Sequence, residues 1–169
     1  FMRDVLSAAE YGLYQVFRLV WHIPFPVPEL CPALPDAPSD VIVALGQVPP
    51  APVEAVRAGA LRRVIPGEAW VELPGVMRFW VCQGESIRVE AQPTAEAQFV
   101  RLMLLGPVAG LLLLQRSLLP LHASAIVTPA GAVIFVGHSG AGKSTLLNEF
   151  LRRGYPMIAE DLAAVRLDA

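Results

Sequence analysis

The chain has 169 residues, with 13 Lys and Arg against 15 Asp and Glu, a net charge of -2, and 54% hydrophobic against 17% charged residues. So apolar a composition excludes an intrinsically disordered chain, and the lack of a basic excess argues against a protein that holds nucleic acid electrostatically. A chain this long can bury roughly 70% of its unfolded surface, so its core needs no disulfide or metal, and a mean hydropathy of +0.51 means either a generous core or apolar surface meant for a partner.

At the start, Arg3, Asp4 and Glu10 leave no apolar signal-peptide region, and Phe1 ahead of Met2 carries no structural meaning. Tyr11 to Trp21 is rich in aromatic and β-branched residues and reads as β structure, ended by Pro24, Pro26 and Pro28, which cannot donate to a ladder. Pro32, Pro35 and Pro38 mark Glu29 to Asp40 as an extended connection, and Val41 to Leu45 is a short apolar strand. A meander follows: Ala69 to Leu73, a Pro74-Gly75 turn, Met77 to Cys82, a turn over residues 83–85, and Ser86 to Glu90. Cys31 and Cys82 have no second Cys or His at metal-ligand spacing, so they read as two buried reduced thiols, with the cytoplasm as the expected compartment.

From Thr94 the period becomes helical, with Phe99, Leu102, Met103 and Leu105 on one face. The apolar window from Leu102 to Leu114 is interrupted by Gly106, Pro107 and Gly110 and is shorter than the roughly 20 residues of a membrane span. It predicts a mostly buried helix with a break at Pro107 rather than a membrane span. Leu121 to Val127 then reads as one strand, Thr128 to Gly131 as a turn, and Ala132 to Val136 as a buried strand. So short a connection makes the pair antiparallel. The expected fold is α/β in the α+β sense: a β-rich region over 1–93, then a second region over 94–169 whose core is entered through this hairpin.

Gly137 to Ser144 fits the phosphate-loop spacing G-x-x-x-x-G-K-[ST]. The glycines permit positive φ, so that successive N–H groups turn toward a phosphate, and a following helix adds its positive end. Lys143 supplies a point charge for the terminal phosphates and Ser144 a hydroxyl for Mg²⁺. Leu146, Leu147, Phe150 and Leu151 predict the apolar side of that helix, Glu149, Arg152 and Arg153 its outer side, and Gly154 its end. Tyr155 to Ala159 is then a short strand tipped by Glu160 and Asp161. Acids in this position suit a Mg²⁺ ligand or a base for the attacking group.

Leu121 to Ala125 with His122, the hairpin, the loop, Arg153-Gly154 and the acidic pair together resemble the catalytic core of the HPr kinase/phosphorylase family, over residues 118–165. The β-rich part is similar to the leader regions of its smaller relatives, among them serine kinases that tailor lasso-peptide precursors. The resemblance implies a Mg²⁺- and ATP-dependent kinase acting on a serine of a peptide or small protein. It implies that Gly137, Ser139, Gly140, Ala141, Gly142, Lys143, Ser144 and Thr145 hold the nucleotide phosphates, and that Ser144 and Asp161 take Mg²⁺. His122 corresponds to the family's active-site histidine. His138 stands at a variable loop position. The family carries two consecutive aspartates, the first a general base. Glu160 stands there instead, with a carboxylate displaced by about a bond length, a change on the order of 1 Å that can cost roughly 10²-fold in rate. Either Glu160 or Asp161 is therefore the base.

The family core continues past its acidic pair, whereas this sequence stops at Ala169. A fragment, completion by partner chains in a homo-oligomer, and a trimmed fold are the three alternatives. A second functional reading is a non-catalytic ATP-binding regulatory or assembly module. A third, a motor NTPase or GTPase, lacks the N-K-x-D and L-S-G-G-Q motifs.

Overall fold

A computed structural model of the chain describes residues 12–167, so the readings made on Phe1, Met2, Arg3, Asp4, Glu10 and Tyr11 lie outside the described residues. The fold is mixed α+β and strand-rich, with fourteen strands and two helices among the described residues. The chain divides into two compact units between Arg116 and Ser117.

The first unit holds β1 (Gly12–Val16), β2 (Leu19–Ile23), β3 (Cys31–Pro32), β4 (Val41–Leu45), β5 (Val56–Arg57), β6 (Arg62–Ile65), β7 (Glu68–Leu73), β8 (Met77–Cys82), β9 (Ser86–Ala91) and helix α1 (Ala97–Gln115). The strands form one sheet in the order β3-β1-β2-β4-β9-β8-β7-β6-β5, antiparallel except where β4 runs parallel to β2 and β9. The element expected from Tyr11 to Trp21 is not one strand. It is a hairpin turned at Phe17 and Arg18, with φ of 52° and 64°. Two left-handed residues match the right-handed twist of the paired strands, but neither side chain gives a turn signal. The proline-rich connection is not extended throughout: it turns at residues 28–29 and 35–36, where Leu30 N–H donates to the Val27 carbonyl and Ala37 N–H to the Leu34 carbonyl, each at 3.1 Å, and Cys31–Pro32 pairs with β1 as β3. The meander stands as read, with β7 beginning at Glu68 and β9 ending at Ala91. Strands β5 and β6, which continue the β7 edge, carry three arginines in six residues and no alternation that sequence reading could catch.

The alternation of β8 sends Met77, Phe79 and Val81 to one face and Arg78, Trp80 and Cys82 to the other. On the apolar face, Val43, Ile87 and Val81 lie in one cross-strand row and Leu45, Val89 and Phe79 in the next. On the opposite face Arg78 meets Glu72 at 3.1 Å and Glu90 at 3.4 Å. Glu90 also accepts from Val48 N–H at 2.8 Å, and the Trp70 indole donates to the Pro49 carbonyl at 2.9 Å. Segment 46–50 is thereby fixed over the sheet.

Helix α1 belongs to the first unit, whereas the sequence boundary fell before Thr94. The reason is tertiary: Gln115 accepts from Gly84 N–H at 2.7 Å and donates to the Val81 carbonyl at 3.2 Å. The helix does not break at Pro107; a π-helical turn over Leu104–Val108 absorbs the missing N–H. Its buried face is Val100, Leu104, Val108, Leu111 and Leu112, while Phe99 and Leu102 are exposed and Met103 and Leu105 half-buried. That reverses the expected face. Nor is the helix mostly buried: less than half of its apolar window is covered, and by length and composition alone it could cross a membrane. Cys31 is exposed and Cys82 half-buried, so neither is the buried thiol expected, though both are free.

The second unit holds β10 (Leu119–Leu121), β11 (Ala123–Thr128), β12 (Gly131–Val136), α2 (Lys143–Arg152), β13 (Met157–Ala159) and β14 (Ala163–Val165). It contains a three-stranded sheet, β12-β11-β13, and a two-stranded one, β10-β14. The strand expected from Leu121 to Val127 is interrupted at His122. The loop-bearing strand β12, expected to be buried, is an edge strand with Ala132, Val133 and Val136 exposed. The buried strand is β11, because it alone has a neighbour on each side. Of the apolar side of α2, Leu147 is buried and Phe150 half-buried, while Leu146 and Leu151 are exposed. Glu149 and the two arginines face outward as read, with Glu149 meeting Arg153 at 2.8 Å.

Phe79→Ala is expected to lower stability in urea unfolding by about 3–5 kcal/mol, whereas Phe99→Ala should change it by less than about 1 kcal/mol. Burial, with Glu68 and Glu85 nearby, pushes the Cys82 thiol up. The thiolate is the reactive form, so at pH 8 Cys31 should alkylate first and Cys82 lag in peptide mass analysis, with the lag lost in denaturant.

Candidate functional site

The site is built on one edge of the three-stranded sheet. Strand β11 runs antiparallel to both β12 and β13, with Ala123 opposite Val136 and Ala125 opposite Ala159. The C-terminal ends of β12 and β13 therefore open on the same edge, beside the start of β11. The first end carries the loop Gly137 to Gly142, the second Glu160 and Asp161, and the start of β11 carries His122.

The loop turns where the glycines were expected to act. Gly140 has φ +82° and Gly142 φ +86°, conformations that L side chains rarely adopt. Gly142 is also the N-cap of α2, so Lys143, Ser144 and Thr145 form the first turn, where backbone N–H groups lack partners inside the helix. A Cβ at Gly137 would come 3.2 Å from that of Ala141, whereas none would meet anything at Gly140 or Gly142. The loop is thus tight at its base and open at its tip. Ser139, Gly140, Ala141, Ser144 and Thr145 are exposed, as is His138.

The Lys143 ammonium donates to the carbonyls of Gly137 at 2.8 Å and His138 at 3.0 Å. An ammonium has three N–H bonds, so one remains for a ligand while the other two hold it across the start of the loop. Behind the loop, Phe135 stacks on Phe150 at 5.4 Å and Phe150 meets the Tyr155 ring edge-on at 5.3 Å. These rings tie β12, α2 and the start of the next strand together. Phe150 was legible from its helical spacing; Phe135 and Tyr155 gave no separate signal.

On the acidic side, the β10–β14 pairing (Leu121 opposite Ala163) and the Ala125–Ala159 pair of β11 and β13 share one register, interrupted between them, and the β11–β13 ladder shifts by one residue at Ile126. Asp161 occupies the interruption at φ +73°, and its carbonyl accepts from Ala123 N–H at 3.2 Å. His122 Nδ1 lies 3.0 Å from that same carbonyl and 3.0 Å from Asp161 Oδ1. Two acceptors facing Nδ1 require the proton there, which leaves Nε2 free of it in the neutral ring. The Glu160 carboxylate has no hydrogen bond or ion pair among the described residues. The two acids adjacent in sequence therefore differ: Asp161 is held by the histidine, and Glu160 is unencumbered.

The donor set can be compared with what Mg²⁺ takes. Among the described residues no three His, Cys, Asp or Glu side chains converge on one point. Mg²⁺ uses one or two protein oxygens and completes its shell with water and phosphate oxygens, so the Ser144 hydroxyl and Asp161 Oδ2, both hard oxygens, suit it. No family model, characterised protein or solved structure matches this chain.

The His122–Asp161 pair is more than half exposed on both sides, and such pairs contribute little to stability. His122→Ala should therefore shift the unfolding free energy by less than about 1 kcal/mol in a denaturant titration.

Proposed function

We propose that the chain is an ATP- and Mg²⁺-dependent kinase that transfers the γ-phosphate to a serine hydroxyl of a peptide or small protein. The observation that carries this reading is the shared sheet edge: a glycine-turned loop with a bridging lysine at one strand end, and a free carboxylate beside a histidine-held one at the other. Phosphoryl transfer asks a protein for little covalent chemistry; it needs phosphates held, charge neutralised and the acceptor oriented.

In this reading the amides of Ser139, Gly140, Gly142, Lys143, Ser144 and Thr145 hold the phosphates, Ala141 N–H closes the loop on the His138 carbonyl at 3.1 Å, Gly137 shapes its base, and Lys143 turns its remaining N–H toward the phosphates. Mg²⁺, when held by Ser144 and Asp161, supplies neutralisation of the phosphate charge. Glu160 takes the proton as the acceptor serine oxygen bonds to the γ-phosphorus and the bond to the β-γ bridging oxygen breaks, releasing ADP. Glu160 is preferred over Asp161 as base because its carboxylate has no competing partner. His122 is a positioning residue that fixes the Asp161 carboxylate. A lasso-peptide precursor is the favoured acceptor, on the resemblance to the HPr kinase/phosphorylase family alone.

The test begins with an equilibrium titration of ATP, with and without Mg²⁺. The expected result is binding that Mg²⁺ strengthens, and that Lys143→Ala weakens at least tenfold while circular dichroism stays unchanged. Absence of ATP binding by the folded chain overturns the reading. With serine-containing peptides as acceptors, Glu160→Gln should lower kcat about 10²-fold and Asp161→Asn should weaken the Mg²⁺ dependence. Tight ATP binding with no transfer to any acceptor would point to a nucleotide-binding module instead.

A further inference from the structure

We propose that a cavity in the first unit binds a small apolar carboxylate, with its hydrocarbon part inside and its carboxylate on Arg101. The cavity measures about 270 Å³ and lies between the proline-rich connection after β2 and the start of α1. Phe25 and Pro28 of the connection, Leu45 and Val89 of the sheet, and Val100 and Arg101 of α1 line it. Its lining is almost wholly apolar and Arg101 is the charged residue among the described lining, so it holds apolar groups out of water and has one polar anchor beside it. Proline rings and strand residues have little rotamer freedom to lose, which makes the cavity pre-formed. At below the roughly 300–1,000 Å³ of drug-sized sites it suits one apolar side chain or a medium acyl chain.

Charge complementarity selects the head group. Arg101 meets Glu29 through Nε alone, at 2.9 Å to one carboxylate oxygen and 3.0 Å to the other. Its two terminal amino groups make no bond with a described residue. A guanidinium presents paired N–H donors in a plane that matches a carboxylate, and its charge disfavours a cationic ligand. The Arg101 side chain is 18% exposed and Glu29 46%, so the cation is packed in place while its acid partner can swing into solvent. Glu29 then acts as a competitor for the incoming carboxylate. The ligand is a free aliphatic or aromatic acid, or the C-terminus of a peptide ending in an apolar residue; both present the same chemistry.

Calorimetric titration of the full chain without nucleotide tests this, independently of the kinase reading. The probes are octanoate, octan-1-ol, and a tetrapeptide ending in Leu as the free acid and as the amide. Octanoate should bind at least tenfold tighter than octanol. Arg101→Gln should remove that preference while leaving octanol binding unchanged. Glu29→Gln should tighten octanoate several-fold, and Ala97→Phe, which adds a ring to the cavity lining, should abolish binding of both. A free-acid peptide that outcompetes octanoate and its own amide identifies the carboxylate as a chain terminus; octanoate binding tighter than the peptide identifies a free acid. Equal affinity for octanoate and octanol, or no binding of either acid by a chain with native circular dichroism, overturns the proposal. Undiminished octanoate binding by Ala97→Phe overturns it too.

Discussion

Strand β11 is paired antiparallel on both of its sides, and the arrangement of the second unit depends on this. A strand with two antiparallel neighbours forces them to run in the same direction, so whatever follows each of them emerges at a common edge. Here the glycine-rich loop and the acidic pair follow them, and the start of β11 lies between. The same pairing explains the burial: residues 123–126 of β11 are buried without alternation, while β12 and β13 keep exposed side chains. The interruption in the ladder at His122 and Asp161 lies where the chain passes from one strand pair to the other. Backbone groups freed from regular pairing are satisfied there by a close local contact, the Asp161 carbonyl with Ala123 N–H. The strain of a left-handed aspartate is held in place by that bond and by the histidine.

In the first unit the organising constraint is the parallel insertion of β4 between β2 and β9. Parallel neighbours cannot be joined by tight turns, so two long connections are required. The shorter runs through the proline-rich segment, and Asp40 anchors its end by accepting from Val20 N–H at 2.8 Å and donating back at 2.8 Å. The longer contains four strands that extend the sheet on the far side. The proline segment, lying beside the start of α1, leaves the cavity around Val89 and Arg101. Pro26 and Pro28, which line it, have no N–H to donate to a ladder, and Ala95 and Ala97 on the other side present only methyl groups.

Much of the local structure is legible in short sequence windows. The β7–β9 meander follows from alternation broken by Pro-Gly and Gln-Gly, and the glycine-turned loop before α2 from glycine spacing ahead of a helical pattern. The failures have a common form. Phe17 and Arg18 turn without glycine because strand twist selects their conformation. Helical spacing puts Phe99, Leu102, Met103 and Leu105 on one face of α1, yet a π turn at Pro107 and the position of the sheet select Val100, Leu104 and Val108. The β12 sequence is as apolar as that of a central strand, and edge or centre is not a property of its own residues.

The sequence by itself determined the turns, the glycine-rich loop at the head of a helix, the acidic pair and the general α+β character. These rest on φ preferences and side-chain periodicities that act over a few residues. Only the tertiary structure decided that β11 is central, that α1 packs with the first unit, and that His122 holds Asp161 while Glu160 stays free. Those outcomes come from pairings between residues tens of positions apart, as in the 39 that separate His122 from Asp161. No local preference encodes them, because each depends on which partner is available across the sheet.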